Sequence, residues 1–294
     1  MGKKSRYITG FICVMPLALG LLIFRIYSFF ENIYLSFTEF GALGQPEFIG
    51  LENYVNLFND AGFWSALGNT FRLVLICIPL ILIVSTASAL LLNSKIRFKD
   101  GFRAIYFLPA IVLPVATMQV FMWLFNTDYG LINRLLSQMN LSTISWFSDY
   151  NAVIILMVMV IVYLNFSVPT FIFLGALQDI PKSYYEAADI DGASKLRQFF
   201  SITLPLMLPS VFYVVIVTSI SLFQLFDVPF VMLPDGSRGL NVGKTMVYYY
   251  YENAFEFHNM RGYASALSVA LVLVIVLYLL VIFFIQRRFN KQEG

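Results

Sequence analysis

The sequence predicts an all-α polytopic membrane protein, a bundle of six transmembrane helices with both termini in the cytoplasm. Three observations carry that prediction. Hydrophobic residues make up 59% of the 294 and charged residues only 12%, far more apolar surface than a soluble core of this size hides. The apolar residues gather into uncharged runs of roughly 20, the length a helix needs to cross a hydrocarbon layer about 30 Å thick. The ten-residue alternation of apolar and polar positions that marks an outer-membrane barrel is absent.

The first run covers residues 7–24, follows the basic stretch MGKKSR, and continues less cleanly past Arg25 toward Phe30. It is long for the apolar region of a cleavable signal and no small-x-small site ends it, so it is expected to persist as a membrane helix. The remaining runs centre on residues 74–93, 104–125, 152–177, 202–226 and 263–285. Lys and Arg set the orientation, because cytoplasmic loops near span ends carry the excess. With the N-terminus inside, Lys3, Lys4, Arg6, Lys95, Arg97, Lys99, Arg103, Lys182, Lys195, Arg197, Arg287, Arg288 and Lys291 are cytoplasmic, 13 of the 19 basic residues. Arg134, Arg238, Lys244 and Arg261 fall in outer loops, while Arg25 and Arg72 lie at helix ends where long side chains snorkel. This asymmetry accounts for the net charge of +2, and nothing points to nucleic acid. Cys13 and Cys77 both fall in predicted spans and read as small apolar packing residues, without disulfide or metal spacing.

The outer loop over residues 34–67 carries Gly/Pro turn signals and four acidic residues after Thr38 with no base, and a short helix is expected around LENYVNLF. The outer loop over residues 228–262 holds the turn cluster LPDGSRG and the aromatic run MVYYYYENAFEF. Each loop as a whole reads as a docking surface for an outside partner; individual tyrosines read equally as an interfacial belt. The loop SKIRFKDGFR is short and basic, as an orienting loop should be. No internal repeat or second domain is evident over residues 1–294. No glycine-rich loop followed by Lys-Ser/Thr occurs, so the chain has no Walker-type nucleotide site.

Between the fourth and fifth runs lies the polar, helix-patterned stretch LQDIPKSYYEAADIDGASKLRQFFSITLPLMLP. Pro181 suits a first helical turn, and Ser183 with Glu186 has capping-box spacing. Gly192 can take the left-handed conformation that ends a helix, and Ser194 can cap a second one. In that second helix Leu196, Phe199, Phe200 and Thr203 are spaced to share a face, and Pro205 and Pro209 mark the start of the fifth span. A bent pair of short helices transmits displacement where a coil would absorb it, although an interfacial helix that merely covers the bundle would show the same pattern.

These residues carry a resemblance. Glu186-Ala187-Ala188, three residues, Gly192, nine residues, then Ile202-x-Leu204-Pro205 is similar to the EAA motif of the membrane subunits of binding-protein-dependent ABC importers, with every fixed position present. NIYLSFTEF, FIGLENYVNLF, FLPAIVLP, LFNTDYGLINRLL and LFQLFDVPFVM extend the likeness over residues 7–288 and resemble the carbohydrate branch, specifically one of the two maltose-transporter membrane subunits. The resemblance implies a type I ABC importer permease fold in the bacterial cytoplasmic membrane. It implies a non-enzymatic subunit that pairs with a second permease, two copies of a cytoplasmic ATPase that bind the ATP and Mg, and an extracytoplasmic solute-binding protein. It also implies a coupling loop at residues 179–205 in which Glu186, Ala187, Ala188, Asp191, Gly192, Ile202, Leu204 and Pro205 meet the ATPase. Glu186 would face a basic group, the alanines would allow close approach, and Gly192 would make the turn.

Polar residues inside spans are costly and tend to face a cavity or another helix. Gln119, Tyr163, Asn165, Ser221, Gln224 and Asp227 are therefore candidates for the substrate path, with Trp123 and Phe223 as rings on which a sugar could stack. Each has a plainer role open to it: Asn165 and Gln119 can bond neighbouring helices, and Asp227 can end the fifth span. A polyol or glycerol-phosphate-type substrate is the alternative to a sugar. A self-sufficient secondary transporter would show inverted halves and an acidic residue at a span centre, and neither is evident. An intramembrane enzyme would need more than His258 in an outer loop.

Overall fold

Long apolar runs build the helices, and a few prolines decide where they break. The computed structural model describes residues 3–41, 44–94, 97–233, 243–256 and 260–290. Helix α1 (Lys3–Leu21) passes through a π-helical turn (Leu22–Tyr27) into α2 (Ser28–Leu35), so Phe11–Leu35 form one continuous apolar helix. A two-residue antiparallel pair follows, β1 (Thr38–Glu39) with β2 (Glu47–Phe48). Next come α3 (Glu52–Asn59), where the short loop helix was predicted, and α4 (Ala61–Asn93). Then follow α5 (Lys99–Ile111), α6 (Pro114–Leu124), α7 (Leu131–Gln138), α8 (Tyr150–Asn165), α9 (Ser167–Asp179) and α10 (Lys182–Ile190). Helix α11 (Lys195–Gln198) runs through a second π-turn (Phe199–Thr203) into α12 (Leu204–Phe223). The chain closes with α13 (Asp227–Met232), α14 (Met246–Tyr251), a third π-turn (Glu252–Glu256) and α15 (Arg261–Asn290).

Among the described residues four helices are long and apolar enough to cross a membrane: Phe11–Leu35, Ala61–Asn93, Lys195–Phe223 and Arg261–Arg288. The third and fourth predicted spans are not straight. α5 and α6 meet at 97° and α8 and α9 at 49°, so the number of spans is six if each bent pair is one. The first break follows from Pro114, since a residue before proline avoids helical ψ: Leu113 sits at ψ 125° and Val112 at ψ 139°. The second follows from Pro169, which lacks the N–H that would bond the Asn165 carbonyl four residues back. Next to it the Phe166 carbonyl, which keeps the Thr170 N–H at 3.1 Å, also accepts Ser85 Oγ and Thr170 Oγ1 at 3.0 and 2.8 Å, bracing the kink. The second span begins earlier than expected, at Ala61, because Asp60 caps it by accepting the Gly62 N–H at 2.8 Å.

The chain divides into two compact units. The first holds Met1–Trp64 and Tyr249–Val274. Its polar joints are backbone-centred: buried Asn53 donates to the Ser36 and Thr38 carbonyls, and the Gly262 N–H donates to the Phe40 carbonyl at 3.1 Å. Tyr249 and Tyr263 both donate to Asp60 Oδ2 at 2.5 Å. Partial burial opposes ionisation of Asp60, yet these hydroxyls and the Gly62 and Phe63 amides outweigh it and hold the carboxyl below its ordinary value. Burial, then the bond to Asp60, pushes the Tyr249 hydroxyl up to about 12. The second unit holds Ser65–Tyr248 and Ile275–Gly294, and its core joins Ala89 and Leu92 of α4, Phe173, Leu174 and Leu177 of α9, and Met207 and Val214 of α12.

Cys77 is buried as expected, whereas Cys13 is exposed, since α1 turns its side chains away from the rest of the chain from Phe11 onward. Residues 234–239 of the LPDGSRG cluster, Lys95 and His258 lie outside the described residues.

Candidate functional site

Two places gather residues singled out by the sequence, both within the second unit. The first is the bent pair α10–α11. Pro181, extended at ψ 133°, ends the preceding segment and the helix starts at Lys182. Ser183 thus lies inside the first turn and no side-chain cap forms, so the expected capping box is absent here. The C-terminal end is as read: Gly192 sits at φ +69°, the Ala193 N–H donates to Ala188 O at 2.9 Å, and the Gly192 N–H donates to Asp189 O at 3.2 Å. This is the paired closing pattern that a left-handed glycine makes possible. Ser194 Oγ then accepts the Arg197 N–H at 3.3 Å and caps α11.

The bend is cross-braced by residues the sequence did not single out. Asp189 Oδ1 accepts Lys195 Nζ at 2.8 Å and Gln198 Nε2 at 2.5 Å, and Gln198 also donates to the Ala193 carbonyl at 3.1 Å. Bonds from Lys195 and then Gln198 hold the Asp189 carboxyl below its ordinary value. Tyr185 and Thr203 join hydroxyls at 2.9 Å, and the Tyr185 ring packs on the core of α4, α9 and α12. The predicted face is split: Thr203 is buried together with Gln198 and Phe199 is half-buried, while Leu196 is 71% and Phe200 58% exposed. Opposite charges flanking Gly192 were the available signal for Asp189 and Lys195. Glu186, Ala187 and Asp191 are exposed beside the exposed Tyr184 and Ile190, and Ala188, Ile202, Leu204 and Pro205 are half-buried.

The second place is a cavity of about 340 Å³ where three helix interruptions meet. Pro109, Ala110, Val112 and Pro114 line it from the α5–α6 break, Leu164, Asn165 and Val168 from the α8–α9 kink, and Ser221, Gln224, Leu225, Asp227 and Val228 from the α12–α13 junction. Non-helical backbone at membrane depth is tolerated where it borders such a cavity. Asn165 spends its Nδ2 on Ile161 O at 2.8 Å, and Asp227 Oδ1 accepts the Val228 N–H at 3.0 Å. No basic residue occurs among the described lining residues. The site offers amides, a hydroxyl and a carboxylate, groups that suit a neutral, hydroxyl-rich solute.

The structure does not bring the other candidates here. Gln119 and Trp123 are exposed on α6 and do not line the cavity. Tyr163 borders a separate apolar cavity of about 360 Å³, with its ring 5.5 Å from that of Phe121. Phe223 is fully buried, edge-on to Phe71 and Tyr278.

Comparison with known proteins agrees with this architecture. The profile of the family "Binding-protein-dependent transport system inner membrane component" matches residues 5–292. The sulfoquinovosyl glycerol transport system permease protein SmoG of Agrobacterium fabrum is 35% identical, over 88% of this chain and 84% of that protein. The arabinooligosaccharides transport system permease protein AraP of Bacillus subtilis is 32% identical, over 99% and 92%. A chain from the crystal structure of a bacterial alginate ABC transporter, in complex with alginate pentasaccharide-bound periplasmic protein, shares the fold with a TM-score of 0.84 at 17% identity, over 98% and 96%. The chain belongs to the family of binding-protein-dependent transport system inner membrane components, and is a multi-pass permease of the cytoplasmic membrane rather than an enzyme.

Proposed function

We propose that this chain is one permease subunit of an ATP-driven oligosaccharide importer, a single domain over residues 1–294 with six spans and both termini inside. It forms half of the pathway beside a second permease, with two copies of a cytoplasmic ATPase that hold the ATP and Mg and an extracytoplasmic solute-binding protein. The cross-braced bend around Gly192 carries the reading: it is stiff, exposes Glu186 and Ala187, and packs through Tyr185 onto α4, α9 and α12. In this reading Glu186 meets a basic group of the ATPase, Ala187 and Ala188 admit close approach, Asp191 and Gly192 form the turn, and Ile202, Leu204 and Pro205 join the turn to α12. An exposed ion pair contributes little energy, so Glu186 sets geometry more than affinity.

Sugar as the solute class is supported by what the relatives carry and by the cavity. A phosphate ester such as glycerol phosphate would find no counter-ion among the described lining residues and would meet Asp227. Asn165, Ser221, Gln224 and Asp227 are the proposed solute contacts. Proteoliposomes containing the four kinds of subunit should accumulate oligosaccharide on addition of ATP, and vesicles holding this chain alone should not. Uphill uptake by the chain alone would refute the reading.

A further inference from the structure

The first unit contains a cavity of about 570 Å³ whose chemistry differs from that of the transport cavity. Glu39, Glu52 and Asp60 contribute carboxylates, Asn53, Asn56 and Asn253 contribute amides, and Phe40, Tyr249 and Tyr263 contribute rings, with no basic residue among the described lining residues. Its polar wall is built mostly of acceptors, with the Asn56 amide as the exception. Asn53, a lining residue only 6% exposed, spends its Nδ2 on the Ser36 and Thr38 carbonyls, and among the described residues its Oδ1 has no hydrogen-bond donor. Asn253 spends its Nδ2 on the Tyr249 carbonyl at 2.8 Å. The hydroxyl hydrogens of Tyr249 and Tyr263 are given to Asp60. A sugar hydroxyl both donates and accepts, and beyond the Asn56 amide this wall offers it little to accept from, while an anion is repelled. A metal ion is poorly served as well, because Asp60 is already saturated by two hydroxyls and the Gly62 amide. A guanidinium or ammonium group has donors only, carries the complementary charge and stacks on rings. The Phe40 ring already holds such a group on this chain, with the Arg261 guanidinium 5.6 Å from its centre.

We propose that this cavity receives an arginine or lysine side chain of the extracytoplasmic solute-binding protein. The inference rests on the proposed function in one respect, that this unit's loops face outward, and the family's dependence on a binding protein supplies the partner. The cavity serves as a register pin for docking and takes no part in holding solute.

The assembled transporter in lipid nanodiscs, with 3-fluorotyrosine at positions 249 and 263, is titrated with N-acetyl-arginine amide and with its neutral isostere N-acetyl-citrulline amide. The arginine probe should shift the fluorine signals and the citrulline probe should need at least about a tenfold higher concentration, about 1.4 kcal/mol. The Glu39→Gln/Glu52→Gln double variant should lose that discrimination, and its half-saturating concentration of binding protein should rise by a similar factor. Equal response to both probes, a response to maltose instead, or unchanged binding-protein affinity in the double variant would overturn the proposal. Probe binding is read without ATP or transport, so its failure leaves the coupling-loop reading standing, and failed coupling leaves this one standing.

Discussion

Substitutions at Gly192 separate backbone strain from steric contact in the proposed coupling loop. Gly192 sits at φ +69°, and a Cβ built there meets nothing within 4 Å. Alanine therefore adds no clash within the chain, and its cost is the left-handed conformation itself, about 1–2 kcal/mol for an L-residue. That lowers the population of the native bend by a factor of about 5–30 relative to straighter alternatives. Asparagine is larger than alanine but visits this conformation readily, and valine is β-branched and visits it least. The expected order of solute imported per ATP hydrolysed in proteoliposomes is Gly, then Asn, then Ala, then Val. If the turn matters only because the ATPase packs against it, size alone sets the order and Asn falls below Ala. That order, or wild-type coupling in all three variants, would refute the strain argument.

Four further outcomes follow from the same geometry. The Asp189 carboxyl is held below its ordinary value in the folded loop, so its bracing is present above the unfolded value near 3.9 and is lost as pH falls through the folded value; the protection of residues 182–198 against hydrogen exchange, relative to the unstructured rate at the same pH, should be constant from pH 5 to 8 and fall below about pH 4. Asn165→Leu and Gln224→Leu should each alter the ranking of competing oligosaccharides in uptake assays while leaving the abundance of the complex unchanged, and an unaltered ranking would remove that residue from the path. Gly262→Ala puts a Cβ 2.0 Å from the Thr38 carbonyl oxygen, backbone that cannot swing aside, and should destabilise the first unit by about 1–3 kcal/mol or more in thermal melts. Asn133, buried in α7, donates to Thr127 O and Ile144 O and accepts from Ile144 N and Trp146 Nε1; Asn133→Leu should cost about 2–4 kcal/mol by the same measurement, since several buried partners lose their bonds at once.

The apolar runs were legible because length and lack of charge are all that a span requires. The breaks were not, because proline is ambiguous by itself. Pro16, Pro79 and Pro209 sit inside continuous helices, whereas Pro114 bends its helix pair by 97°. What differs is the bracing around the break, and that depends on residues far away, as the Ser85 bond to the Phe166 carbonyl beside the α8–α9 kink illustrates. Gly192 could be read since a left-handed turn constrains one residue locally. Its brace could not: Asp189 reaches Lys195 and Gln198 only after the bend exists. The same limit applies to the path. Asn165 and Gln119 are equally costly in a span, and helix rotation alone puts the first in the cavity and the second on an exposed face. Asp60, the junction of α4 with Tyr249 and Tyr263, carried no periodic signal at all.

In the proposed function a rigid bend carries work from a neighbouring ATPase into the helices around the cavity. Inserting Gly-Ser-Gly between Ala193 and Ser194 leaves both helices intact and makes the link between them slack. Solute transported per ATP by the assembled transporter should then fall at least about tenfold while hydrolysis continues, whereas an unchanged ratio would contradict transmission through the bend.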